Sequence, residues 1–143
     1  MRRDEEGSAV VEMTWLGLLL LIPLAYVMLS VFEVQRAAYG ASAAGRAAGR
    51  AYVQSPDVVS AQERGRTAAA LVLEDHGIAP GDHTVRVSCA EGPCLSPGST
   101  VTVVVEVTAA LPFVPDFLGG ARPAVRVSST HTEPYGRFRE DRS

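Results

Sequence analysis

Gly7-Ser8-Ala9-Val10-Val11-Glu12 runs straight into MTWLGLLLLIPLAYVMLSVF, the uncharged run Met13 to Phe32. At about 1.5 Å per residue, 20 residues make roughly 30 Å of helix, the thickness of a bilayer's hydrocarbon core. The run predicts a membrane-spanning helix, and the rest of the fold is read outward from it. Glu12 stands at its mouth. A carboxylate there is costly unless a partner neutralises it, which makes it the first functional candidate. The plain alternative is a solvated interfacial glutamate on an ordinary anchor.

The helical pattern does not stop at Phe32. Val34, Ala37, Ala38, Ala41, Ala44, Gly45, Ala48 and Tyr52 recur at three-to-four spacing, and no proline intervenes before Pro56. One helix is therefore expected over 8–53, about 70 Å long. Gly40, Gly45 and Gly49 each weaken it by up to about 1 kcal/mol relative to Ala. Close approach of another helix along the small-residue stripe is the compensating gain; compositional drift toward Ala and Gly is the plain alternative. Pro23 lies inside the apolar run, where membrane helices tolerate a missing hydrogen bond. Trp15 and Tyr39 flank the run, as rings at a membrane interface do.

Further along, Ser55-Pro56-Asp57 reads as a helix restart, with Ser55 as N-cap, Pro56 at the first helical position and Asp57 at the positive end of the dipole. Val58, Val59, Ala61, Ala68, Ala69, Leu71 and Val72 follow at helical spacing, and Gly77 with Ile78 supplies a left-handed stop. After Pro80-Gly81-Asp82 the period changes to two. His83 to Cys89 and Thr100 to Ala109 then form a hairpin with Val85, Val87, Val101, Val103, Val105 and Val107 inward. Leu111 to Pro123 is a proline-rich connection carrying Phe113, Phe117 and Leu118. Ala124 to Glu133 is a third strand with Val125 and Val127 inward, and Pro134 to Ser143 a polar, frayed tail. The fold class is α+β: a long N-terminal transmembrane helix continuing outside the membrane, a second helix, and a small three-stranded antiparallel sheet. A sheet this small needs helices across its apolar face.

The chain has 143 residues and a formal net charge of −3, and all its basic residues are arginine. That leaves room for one small domain beyond the helix and gives no basic field for nucleic acid. Cys89 and Cys94 enclose a four-residue loop whose spacing suits a hairpin disulfide, with two free thiols as the alternative; a disulfide places the domain in an oxidising compartment. His76, His83 and His131 lack metal-ligand spacing, so neither a metal nor another cofactor is expected. No nucleophile elbow, phosphate-cradling loop or paired apolar carboxylates occur, so no catalytic residue and no small-molecule substrate are expected. Glu33 and Arg36 sit three apart and can pair, while Arg46 and Arg50 read as a solvated face. The mixed-charge head, Met1 to Gly7, and the length of the apolar run argue against an ordinary secretory signal, although Ala41-Ser42-Ala43 resembles a cleavage site.

The opening stretch resembles the class III signal of type IV prepilins, in which a prepilin peptidase cuts after glycine and leaves glutamate at the fifth mature position. Here the cut falls between Gly7 and Ser8, and Glu12 is fifth from Ser8. More closely, the chain looks like the TadE-like minor pseudopilins of the tight-adherence (Flp) pilus. The likeness rests on this signal, the apolar run with Pro23, Glu33-Val34-Gln35-Arg36, and Ala43-Ala44-Gly45-Arg46-Ala47-Ala48-Gly49-Arg50. It departs at Met13, where that family usually has Phe, and in the depth of Pro23. The resemblance implies a pilin-like fold in three parts: a cytoplasmic leader over 1–7, a helix over 8–53 whose transmembrane part is 13–32, and an extracytoplasmic domain over 54–143. It implies a single-pass protein of the cytoplasmic membrane that enters a pilus, with the peptidase, other pilins and the assembly machinery as partners. Glu12 would set the register between subunits. An uncleaved, membrane-anchored extracytoplasmic binding module is the alternative.

Overall fold

A computed structural model of the chain describes residues 4–90, 92–112 and 123–143, with side chains from Ala9 onward. Its elements follow the expected order: α1 (Asp4–Val53), α2 (Val58–Asp75), a single 3-10 turn (Pro80–Asp82), β1 (His83–Ala90), β2 (Thr100–Ala110) and β3 (Ala124–Pro134). The strands form an antiparallel meander in the order β1-β2-β3. Phe113, Phe117 and Leu118 of the proline-rich connection lie outside the described residues.

α1 changes character along its length. Its first part is bare: Leu16, Leu20 and Leu24 are all more than half exposed. From Ala37 onward one stripe, Ala37, Ala41, Ala44, Ala48 and Tyr52, is buried. That stripe meets α2 on one side and the sheet on the other. Ala61, Gly65, Ala69 and Leu73 are the buried face of α2, a four-residue repeat that presents mostly small side chains to α1. An added Cβ at Gly65 would stand 3.4 Å from the carbonyl oxygen of Ala48, which shows how closely the two backbones pass. The small-residue stripe is thus occupied within the chain itself.

The sheet face toward the helices is built from the alternating residues. Val101, Val103, Val105 and Val107 of β2 are buried, and across the ladder Val87, Val103 and His131 form one row. β2 and β3 lie under α1, and α2 reaches the sheet at β1. Ala109 is buried, but its partner Val125 is 37% exposed. Val125 therefore shares the inner face without being covered, contrary to the expectation of an inward core residue.

Two further expectations are corrected. Asp57, not Ser55, caps α2: its carboxylate accepts from the Ser60 amide and hydroxyl, each at 2.8 Å. Ser55 is fully buried, and its hydroxyl donates instead to Ala51 O in the last turn of α1, at 2.8 Å. A buried hydroxyl takes the partner within reach, while the exposed carboxylate is the stronger acceptor for free amides at a helix start. The polar tail is not frayed either. Tyr135 is buried, its amide donates to Ser99 O at 2.8 Å and its hydroxyl to Glu140 O at 2.7 Å. Arg139 donates to Val53 O at 2.7 Å, and Arg142 to Ser55 O at 3.3 Å. Both guanidinium groups meet carbonyls at the C-terminal end of α1, where the helix dipole favours positive charge.

The α2 stop has the expected form. Gly77 takes φ +68°, its amide donates to Glu74 O at 2.8 Å, and the Ile78 amide donates to Leu73 O at 2.9 Å. This pair of bonds, with Ile78 buried, is the Schellman arrangement, which requires a left-handed residue that glycine adopts without strain.

Candidate assembly and membrane surface

The candidate surface is the bare part of α1. Among the described residues, α1 is the helix long and apolar enough to cross a membrane, and none of its most apolar window is buried. Trp15 is 69% exposed and Phe32 62%. Two of the three hydroxyls within the run bond back to the helix: Thr14 donates to Val10 O at 2.8 Å and Ser30 to Tyr26 O at 2.9 Å. The backbone and these two hydroxyls are therefore paired inside the helix, as an apolar solvent demands; among the backbone groups the carbonyl opposite Pro23 is the exception. The stem offers its surroundings almost nothing but hydrocarbon.

Glu12 lies on this stem, exposed, one residue ahead of the uncharged run. Among the described residues no cation pairs with it. Gly7 and Ser8 belong to the first turns of α1, and their side chains lie outside the described set. The helix axis places Glu12 about 6 Å from Ser8.

Where the stem enters the domain, the chemistry changes within one turn. Arg36 makes two bonds to Glu33, at 2.6 and 3.1 Å, and donates to His76 O at 3.0 Å. It therefore holds the first charged turn after the apolar run to the carboxyl end of α2, where a cation is favoured by the exposed carbonyls. The Glu33 pairing was legible from spacing; the bond to His76 was not, since nothing in the sequence marks which carbonyls a folded arginine will find. Arg46 bonds Ser42 at 2.7 Å, and both Arg46 and Arg50 are solvent-facing.

Cys89 and Cys94 are joined as a disulfide across the β1–β2 loop. This loop lies at the far end of the domain from the stem, beside the anchored tail: the Arg142 amide donates to Leu95 O at 3.1 Å. Of the histidines, His131 faces α1 and lies 3.0 Å from Glu133, while His76 and His83 lie near the stem end. Among the described residues no three metal-ligating side chains are gathered together.

Compared with family models, curated proteins and solved structures, the chain matches none.

Proposed function

We propose that the chain is a TadE-like minor pseudopilin, a structural subunit of a tight-adherence pilus rather than an enzyme. The observation that carries this reading is α1 itself. Half of one unbroken helix is bare hydrocarbon and half is the core of a small domain, and a carboxylate stands at the start of the bare half. In the membrane the bare half is covered by lipid; in a filament it is covered by the same half of other subunits. Processing after Gly7 by a prepilin peptidase would expose a Ser8 ammonium. In a stack of parallel stems that ammonium neutralises a neighbour's Glu12, so the charge pair sets axial register while apolar packing supplies adhesion. The reading puts the N-terminus in the cytoplasm and the domain outside the cytoplasmic membrane. The Cys89–Cys94 bond supports that placement, because disulfides persist in oxidising compartments.

The deciding measurement is the intact mass and N-terminal sequence of the protein extracted from membranes of cells that carry the peptidase. A mature chain starting at Ser8, together with an unprocessed Gly7→Leu variant, is expected. A wild-type chain that keeps Met1 there overturns the pseudopilin reading and leaves an uncleaved anchored binding module.

A further inference from the structure

Beyond Tyr135 the chain leaves the sheet and is held at two places. Arg139 and Arg142 reach the carboxyl end of α1 at Val53 O and Ser55 O, and the Arg142 amide reaches Leu95 O in the β1–β2 loop. Arg142 is thus the pin between loop and corner: its side chain bonds one and its backbone the other. Tyr135 fills the inside of this clasp. It is buried, its hydroxyl donates to Glu140 O, and the Arg139 guanidinium lies over its ring, 4.8 Å from the centroid.

Leu95 is the residue on which the loop side depends. It is fully buried and takes φ +64°, the left-handed region, which costs an L side chain free energy and persists only where the surroundings impose it. Cys94, directly before it, is tied to Cys89 near the end of β1, and Ser96, directly after it, donates its hydroxyl to Pro93 O at 2.8 Å. The bridge therefore fixes one end of the turn whose carbonyl receives the tail. Without it the stretch between β1 and β2 is held only at its strand ends, and the entropy of the freed chain favours ordinary backbone angles at Leu95. A second feature points the same way. The Ser99 carbonyl accepts from the Tyr135 amide, but the buried Ser99 hydroxyl has no bonding partner among the described residues. A buried hydroxyl without a partner is costly, and opening of the loop admits water to it. Two costs thus sit between the bridge and the tail, and release of the tail relieves both. Cys89 and Cys94 are only half-buried, with Gly92 and Pro93 exposed beside them, so a small thiol can reach the bridge.

We infer that the Cys89–Cys94 bridge is the lock of a redox-sensitive clasp. Oxidised, it holds Leu95 so that the tail docks across the end of α1. A dithiol reductant opens it: the S–S bond is replaced by S–H bonds on Cys89 and Cys94, and the reductant's two thiols give up those hydrogens and become a disulfide. Leu95 then leaves the left-handed region, Arg142 loses its backbone partner, and Gly136 to Ser143 come away from Val53 and Ser55. The helices and sheet stay packed, because α1 meets them along the whole stripe from Ala37 to Tyr52, whereas the tail bonds only its carboxyl end. The clasp needs only the bridge and the tail, and works whether or not the stem enters a pilus.

The full chain in detergent micelles, with its bridge intact, is compared with the same preparation reduced by dithiothreitol, using hydrogen exchange resolved to the tail and to β2. On reduction, exchange over the tail is expected to quicken by about tenfold or more while β2 keeps its protection, and reoxidation is expected to reverse the change. Carboxypeptidase digestion with intact-mass readout gives a second measure: the oxidised chain keeps Arg142, and the reduced chain is trimmed toward Gly136. Cys89→Ser/Cys94→Ser should behave as the reduced protein does. Reduction is applied to folded protein, so the outcome does not depend on whether that variant folds. Tail exchange and trimming that are the same in both forms overturn the inference, since the tail then holds without the bridge. Loss of β2 protection together with the tail also overturns it, since the bridge then secures the whole domain. So does a tail that stays open after reoxidation, because a switch must reverse.

Discussion

Two glycines decide how closely α1 can lie on β3. A Cβ added to Gly45 would stand 3.2 Å from His131 Cβ, and one added to Gly49 would stand 3.1 Å from His131 Cδ2 and 3.3 Å from Glu133 Cβ. His131 and Glu133 occupy the space those side chains would need, and they bond each other at 3.0 Å while only partly exposed. Gly17, by contrast, has nothing within 4 Å of its missing Cβ. Gly49→Leu is therefore expected to destabilise the domain by about 1–3 kcal/mol through overpacking, and Gly17→Leu to leave it unchanged. Thermal unfolding in detergent, followed by near-ultraviolet circular dichroism, checks both; equal melting temperatures for the two variants would refute the close-approach argument. The sequence shows three glycines at helical spacing but not their purpose. Gly45 and Gly49 answer to a histidine more than 80 positions away, a contact that no local pattern carries.

At the level of elements, the chain states its periods clearly and its boundaries less so. The apolar run, the three-to-four stripe after it and the change to period two after Asp82 were enough to place two helices and three strands. Gly77 was legible because a left-handed stop admits few other residues. The start of α2 was not: Ser55 and Asp57 are both good caps, and burial of Ser55 against α1 settles the competition. The docked tail was equally hidden, because Arg139 and Arg142 look like solvent residues until the carbonyls of Val53 and Ser55 are placed beside them. The cap has a pH signature. The hydrogen bond from the Ser60 amide, and then that from its hydroxyl, holds the Asp57 carboxyl below the usual carboxylate range. Its stabilisation of α2 is thus complete above that range and is lost as pH falls through the lowered folded value. Asp57→Ala should reduce amide protection in the first turn of α2 at neutral pH, and the gap to wild type should close on acidification. Hydrogen exchange across that range measures it, and a gap independent of pH would count against the carboxylate as the cap.

At the scale of the whole molecule, stem and domain share a helix, so the charge at one end and the core at the other are parts of one rod. Glu12 touches nothing in the domain, and Glu12→Ala should leave folding and N-terminal processing unchanged while reducing co-assembly with partner subunits. Site-specific crosslinking between stems in cells reads this directly; crosslinking at the wild-type level would remove Glu12 from the register argument. The rod also has one place where it can yield. Beyond Ala37 it is clamped by α2, the sheet and the tail, whereas Pro23 lacks the amide that would bond back to Leu19, in a stretch with no protein around it. A sideways load on the domain is therefore relieved as bending within the apolar run, and the folded end swings as a stiff arm about a joint near the proline.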